Sequence, residues 1–201
     1  SGTALLLYTS GSTGAPKGVK LSYEALVSKL ETLAVVQAPE ILARTLCFLP
    51  VSFGHGLMGN SLPTILSGGE LHLRPAFSRD LAATLGELID AAGITFFSSV
   101  PALWASALPF AEPPKRGTLR RVFCASAGFP VEAWRAASRW VGEAVDLRNV
   151  YGITECASWI SALPQGVPYE ESGAVGKGWG CEFRIESSSG EVLVKAPYLM
   201  S

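Results

Sequence analysis

Residues 4–20 read Ala-Leu-Leu-Leu-Tyr-Thr-Ser-Gly-Ser-Thr-Gly-Ala-Pro-Lys-Gly-Val-Lys. An apolar run, Ala4 to Tyr8, breaks abruptly into hydroxyls and glycines, as a buried strand does where it feeds a loop. A polyphosphate needs close backbone N–H groups, hydroxyl donors and a cation, with no bulky side chain in the way. Thr9, Ser10, Ser12 and Thr13 supply the hydroxyls, Gly11, Gly14 and Gly18 the close approach, and Lys17 the charge. The stretch therefore reads as a strand ending in a phosphate loop. It is not the G-x-x-x-x-G-K-[ST] loop: counted from Gly11, the sixth position is Pro16, and Gly18 stands where Ser or Thr is required. A flexible Gly/Ser linker is the alternative, but linkers rarely follow a buried strand directly or set one lysine after a proline.

The chain has 201 residues, 48% hydrophobic and 16% charged, enough for one domain with a substantial core, and disorder is not expected. A formal net charge of -1 gives no electrostatic reason to expect nucleic acid or an anionic membrane as partner. Cys47, Cys124, Cys156 and Cys181 are far apart and form no C-x-x-C pair, so neither a zinc site nor a disulfide framework is suggested. They read as buried thiols of a reduced cytosol. Apolar segments are interrupted by Gly, Pro or charge before a spanning length, and no basic-then-apolar leader opens the chain, which reads as soluble and cytoplasmic.

Downstream, Ser22 suits a helix N-cap, and Leu26, Val27, Leu30, Leu33 and Ala34 recur at helical spacing up to about Gln37. A helix is thus expected to follow the phosphate loop. Strands are expected at 45–49, 71–73, 94–100, 121–125 and 145–150, with helices at 57–66, 81–92, 101–108 and 131–141 between them. From Thr154 onward short strands and turns take over, with a hairpin of 183–186 and 191–195 around Ser187-Ser188-Ser189-Gly190. The alternation implies an α/β fold, a largely parallel sheet flanked by helices with a short β-rich C-terminal part. The candidate sites are expected at the carboxyl ends of its strands.

Two further stretches carry chemistry. In Asn149-Val150-Tyr151-Gly152-Ile153-Thr154-Glu155 an aromatic ring suits a purine face, and the carboxylate is a hard oxygen ligand for Mg²⁺. Alone, this reads better as a turn with a core tyrosine and a solvated glutamate. In Phe53-Gly54-His55-Gly56 the lone histidine is a packed core residue or a catalyst, with the two readings about even. No carboxylate occurs between Ser52 and Asn60, so a substrate ammonium would find no partner there.

The string Tyr8 to Val19, together with Asn-x-Tyr-Gly-x-Thr-Glu at 149–155, resembles the two signatures of the adenylate-forming superfamily of acyl-CoA synthetases, luciferases and peptide-synthetase adenylation domains. The resemblance covers essentially the whole chain as a partial AMP-binding domain, 1–201, lacking the C-terminal domain with its catalytic lysine. It implies ATP-dependent activation of a carboxylic acid to an acyl-adenylate, with Mg²⁺, and transfer to CoA or the phosphopantetheine of a carrier protein. By resemblance Thr9, Ser10, Gly11, Ser12, Thr13, Gly14 and Lys17 hold phosphates, Tyr151 packs on adenine beside Asn149 and Gly152, Thr154 contacts the α-phosphate and Glu155 binds the metal. Ala125 to Pro130 resembles the small-residue segment bordering adenine and acyl group, placing Gly128, Phe129 and Pro130 against the nucleotide and Ser126 and Ala127 against the acid. Phe129 departs from the usual small residue, which implies an altered adenine pocket.

Phe53, Gly54 and His55 are expected to line the acyl pocket, His55 as wall rather than general base, with the glycines leaving room for an aryl or alkyl group rather than an α-amino acid. Lys17, Thr154, Glu155 and His55 are the catalytic candidates. Expected partners are a small carboxylic acid and either an acyl carrier protein or the remaining parts of a larger enzyme. The alternative is a truncated, non-catalytic relative acting as an interaction or scaffolding module. An intact Lys17, Thr154 and Glu155 favours the enzyme.

Overall fold

A computed structural model describes residues 2–9 and 16–201. Ser10, Gly11, Ser12, Thr13 and Gly14, the heart of the expected phosphate loop, lie outside the described residues. On either side of them, β1 (Thr3–Thr9) and β2 (Lys17–Ser22) pair antiparallel with Thr9 opposite Lys17. The expectation of a strand, then a loop, then a helix is corrected here. β2 intervenes, and β1 belongs to a two-stranded sheet of its own rather than to the parallel one. The reason is in Lys17–Ser22 itself, where Val19 and Leu21 are buried while Lys17, Gly18 and Lys20 are exposed, the period of a one-sided strand. So few residues separate the strands that only antiparallel pairing is within reach, since a parallel return needs a crossover of about a dozen or more residues.

Helix α1 (Tyr23–Val36) starts where expected, with Ser22 Oγ accepting from Ala25 N–H at 3.1 Å. After β3 (Arg44–Cys47), the segment expected as a helix from Leu57 begins earlier, as π-helical turns over His55–Ser61, and continues into α2 (Leu62–Leu66). β4 (Glu70–Leu73) follows, and the single helix expected at 81–92 is two, α3 (Arg79–Ala83) and α4 (Leu85–Ala92), parted at Thr84. Then come β5 (Phe96–Ser99), α5 (Pro101–Ala107), β6 (Arg121–Cys124), α6 (Val131–Val141) and β7 (Asp146–Ile153). A short 3₁₀ turn, Thr154–Cys156, reverses the chain into β8 (Ser158–Ala162), followed by β9 (Lys177–Gly178) and a hairpin of β10 (Glu182–Ile185) and β11 (Val192–Lys195).

The main sheet has seven strands in the order β4-β3-β5-β6-β7-β8-β9. The first five are mutually parallel, as expected; β8 pairs antiparallel with β7, and β9 antiparallel with β8. Both faces are covered. Phe97, Val122 and Cys124 pack on one side with Leu85, Ile89, Trp104 and Trp140 of α4–α6; Phe96, Phe123 and Val150 pack on the other with Leu33 of α1. Arg121 and Asp146 stand opposite each other in β6 and β7, and their ion pair at 2.8 Å, with Arg148 2.6 Å from the same carboxylate, ties this register. All four cysteines are free, with Cys47, Cys124 and Cys156 buried and Cys181 half-buried. Burial pushes the Cys124 thiol up to about 12. No helix among the described residues is long and apolar enough to cross a membrane.

One buried charge-bearing group escaped the periodicity reading. Lys29 sits on the buried stripe of α1 with Ala25 and Leu33, donates to the Trp159 carbonyl at 2.8 Å and lies 3.3 Å from the centroid of the Tyr198 ring. Desolvation lowers its pKa to about 7, against the smaller opposing pull of Cys156 and Cys181. The folded-state value lies below that of the unfolded chain, so between pH 7 and the ordinary lysine value of 10.5 the unfolded chain holds a proton that folded Lys29 has released. This group's contribution to stability therefore rises with pH across that window, by at most about 1.4 kcal/mol per pH unit. Urea unfolding of the wild type and Lys29→Met from pH 6.5 to 10 is expected to show the difference moving in favour of the wild type as pH rises. A pH-independent difference would mean that Lys29 is not buried as an amine.

Candidate active site

The carboxyl ends of β6 and β7, the π-helical segment and the start of β8 enclose a cavity of about 460 Å³. Leu49, Pro50, Phe53, Val100, Ile153 and Trp159 form its apolar wall; His55, Ser126, Thr154 and Ser158 are its polar side chains, and none of its lining residues is charged. Of the residues singled out in sequence, Phe53, Gly54, His55, Ser126, Gly152 and Thr154 meet here. They come from three separate segments, which the parallel register of β6 and β7 and the return of β8 bring side by side.

The β1–β2 sheet is delivered to the same region through its buried face, where Leu7, Val19 and Leu21 pack on Met58 and on Ala157, two residues beyond Glu155. Lys17 is exposed at the start of β2. Thr154 and Glu155 begin the 3₁₀ turn, and Glu155 is half-buried with no hydrogen bond or ion pair to its carboxylate among the described residues. Tyr151 and Gly152 lie inside β7 rather than beyond its end, and Tyr151 is half-buried against the Cys156, Ile160 and Tyr198 cluster.

Other candidates are placed differently. Phe129 is wholly buried in the core under α5 and α6, so its bulk does not alter the cavity, and its carbonyl accepts from Tyr169 Oη at 2.6 Å. Asn149 is buried, its amide donating to the Ala174 carbonyl at 3.1 Å. Ala127, Gly128 and Pro130 are exposed, and nothing lies within 4 Å of a Cβ built on Gly128. The expected purpose of the pocket glycines is corrected. A Cβ on Gly56 would stand 2.4 Å from the Pro50 carbonyl oxygen, and one on Gly54 would stand 3.2 Å from that of Ala157. These glycines permit close backbone packing at the edge of the cavity rather than themselves leaving space for an aryl or alkyl group.

His55 is held on both ring nitrogens, Nδ1 2.8 Å from Ser126 Oγ and Nε2 2.6 Å from Ser98 Oγ, and its ring meets Trp159 edge-on at 5.2 Å between centroids. Burial lowers its pKa to about 4, so the ring is neutral at physiological pH and suits a wall better than a cationic partner. Ser98, Asn60, Val100 and Trp159 were not singled out from the sequence. The usable signal was the placing of Asn60 and Ser98 within otherwise apolar segments, where a polar side chain needs a partner.

A model of the AMP-binding enzyme family matches residues 1–201. This chain belongs to that family. It is 30% identical to a feruloyl-CoA synthase of an Amycolatopsis species over 190 residues, covering 93% of this chain and 38% of that protein. It is 35% identical to the nonribosomal peptide synthetase opaA of Aspergillus ustus over 159 residues, 77% of this chain and 4% of that protein. Among solved structures, o-succinylbenzoate coenzyme A synthetase of Bacillus subtilis in complex with ATP and magnesium superposes with a TM-score of 0.85 at 26% identity, covering 99% of this chain and 42% of the other. The chain thus spans about two fifths of the CoA synthetases it matches.

The depressed His55 pKa carries a sign that unfolding measurements can read. Between the ordinary histidine value of 6.5 and about 4 the unfolded chain takes up a proton that folded His55 refuses, so stability falls as pH falls through this window. Replacing His55 by Gln is expected to flatten that part of the stability profile, leaving the slope below pH 4 unchanged; an unaltered slope between pH 6.5 and 4 would place the effect on other groups.

Proposed function

We propose that this chain forms the ATP- and acid-binding core of a ligase that activates a carboxylic acid as its acyl-adenylate and passes the acyl group to a thiol. The observation that carries the reading is the meeting, at one uncharged cavity, of Thr154 and the acyl-side residues, beside a Glu155 carboxylate not spent on any protein partner described. The reaction is R-COO⁻ with ATP giving R-CO-AMP and pyrophosphate. A carboxylate oxygen forms the new bond to the α-phosphorus, and the bond to the bridging oxygen of pyrophosphate breaks in line. In the second half-reaction a thiol displaces AMP.

Each residue then has a task. The Thr154 hydroxyl lines the cavity at the end of β7 and is placed to donate to an α-phosphate oxygen; Lys17 offers the positive charge that the β- and γ-phosphates require. Glu155 is a hard oxygen donor of the type Mg²⁺ prefers, and the Thr154 hydroxyl beside it is of the same kind, so the residues fit that ion. When bound, Mg²⁺ supplies neutralisation of phosphate charge. The cavity holds carboxylate and α-phosphate together, a contribution from positioning.

The acid is aryl or alkyl rather than α-amino. An ammonium buried against this wall would find a neutral His55 and no carboxylate, and an unpaired buried charge is strongly disfavoured. The feruloyl-CoA synthase likeness supports an acyl-CoA product, and the peptide-synthetase likeness keeps a carrier phosphopantetheine as the other acceptor. The share of the relatives that is covered supports a working core within a larger enzyme.

Calorimetry with Mg²⁺-ATP and with non-hydrolysable acyl-adenylates tests the reading. Saturable binding with aryl or alkyl preferred over α-amino acyl is expected. A folded sample that binds none of them overturns it in favour of a non-catalytic module.

Two variants separate the halves of the site. Glu155→Gln is expected to weaken Mg²⁺-ATP binding about tenfold or more with the melting temperature nearly unchanged, and equal affinity would remove Glu155 from the metal role. Val100→Phe, whose added ring enters the cavity, is expected to weaken acyl-adenylates while sparing AMP. Parallel loss of both would mean that the cavity does not hold the acyl group. Gly54→Trp would not serve, because its side chain would drive into Ala157 and Leu7.

A further inference from the structure

Behind the cavity wall, Asn60 and Ser98 complete a hydrogen-bond chain whose direction can be worked out. Asn60 Nδ2 lies 3.1 Å from the His55 carbonyl oxygen and 2.9 Å from Ser98 Oγ. A carbonyl can only accept, so the amide face turned to it is the NH₂, and its two hydrogens go to His55 O and Ser98 Oγ. Turning the amide over would set Oδ1 against that carbonyl oxygen.

Ser98 Oγ is buried, accepts from Asn60 and has one hydrogen to give. Its one acceptor among the described residues is His55 Nε2, at 2.6 Å. Were Nε2 protonated, the Ser98 hydrogen would be buried without a partner, and an unmade buried bond costs more than a made one contributes. Nε2 therefore accepts, the neutral imidazole carries its proton on Nδ1, and Nδ1–H donates to Ser126 Oγ at 2.8 Å.

Ser126 has thus spent an acceptor position on His55 and retains its hydroxyl hydrogen for the cavity it lines. Its backbone is held at φ 71, a left-handed conformation that residues other than glycine adopt seldom, immediately beyond the end of β6. Among the described residues few donors compete on that wall, and the Thr154 hydroxyl is the one assigned above to the α-phosphate. Ser158 Oγ is 3.4 Å from the Gly54 carbonyl, the Trp159 indole nitrogen is buried, and Leu49, Pro50, Val100 and Ile153 are apolar.

We propose that Asn60, Ser98 and His55 form a directed chain that makes Ser126 a hydrogen-bond donor to the acyl group, so that the pocket selects acids bearing an ether or carbonyl oxygen over isosteric hydrocarbons. This rests on the reading of the cavity as the acyl pocket. Asn60 and Ser98 are positioning residues, and Ser126 is the residue that touches the ligand. The tautomer decides the sense of selection. A proton on Nε2 would draw the Ser126 hydrogen to Nδ1 and leave only lone pairs facing the acid.

Two measurements on the full chain test this. Imidazole ¹⁵N NMR has only His55 and His72 to assign, and a His72→Gln variant separates them. His55 is expected to show the Nδ1–H tautomer near neutral pH, shifting toward a mixture in Ser98→Ala. Calorimetry then compares non-hydrolysable benzoyl-adenylates carrying methoxy or ethyl at each ring position. At one position the methoxy compound is expected to bind about tenfold tighter, and in Ser126→Ala that ratio is expected to fall to about one.

An Nε2–H tautomer in the wild type overturns the inference, as does a ratio near one at every position with both compounds bound. In those cases the function proposed above stands. Failure of every adenylate to bind overturns that function and this inference with it. A purely structural role for Ser98 would move neither the tautomer nor the ratio.

Discussion

Trp159 is the side chain on which three parts of the molecule close. Its indole meets Phe96 and Phe123 of the sheet edge-on, at 6.5 and 5.1 Å between centroids, and fills the space that any side chain on Gly59 would need, a Cβ there lying 2.7 Å from Cζ2. Its carbonyl receives the buried Lys29 amine from α1. A large aromatic buried this way contributes through area and edge-to-face geometry together, and it leaves little freedom to what it touches. His55 is one of those groups, so the orientation of the cavity's imidazole is set by the core before any ligand arrives.

The cavity itself follows from a change of direction in the sheet. β6 and β7 run parallel and end side by side, which places Ser126 next to Gly152–Thr154. The 3₁₀ turn at Thr154–Cys156 then sends β8 back antiparallel along β7, with Gly152 opposite Trp159. Loops at strand ends are free to carry polar groups, while the sheet beneath them is rigid and dry. A neutral imidazole, three hydroxyls and an apolar wall therefore stand at one end of the sheet, beside the Glu155 carboxylate, which has no partner among the described residues.

Much of this was legible along the chain. The β-α alternation from Arg44 to Val150 is carried by local apolar runs and helix punctuation, and it produced the parallel strands in their observed places. Elements whose character depends on a distant partner were not legible. Lys17–Ser22 is short and carries two lysines, and only its pairing with Thr3–Thr9 makes it a strand. Lys29 looks like a solvent-facing helical residue until Tyr198 and the Trp159 carbonyl are brought over it. Phe129 sits within a motif that borders a nucleotide by resemblance, yet its side chain turns into the core.

By itself the sequence determined the two signature stretches, the order of strands and helices, and the want of a carboxylate between Ser52 and Asn60, because each is a property of neighbouring residues. The tertiary structure alone decided which hydroxyls hold His55, that Gly54 and Gly56 serve backbone packing, and which proton faces the cavity. Those depend on contacts such as His55 with Ser98, 43 residues apart, and His55 with Ser126, 71 apart. Hydrogen-bond direction is settled by counting donors and acceptors within one closed space, and that space exists only once the sheet, α1 and the π-helical segment have packed around Trp159.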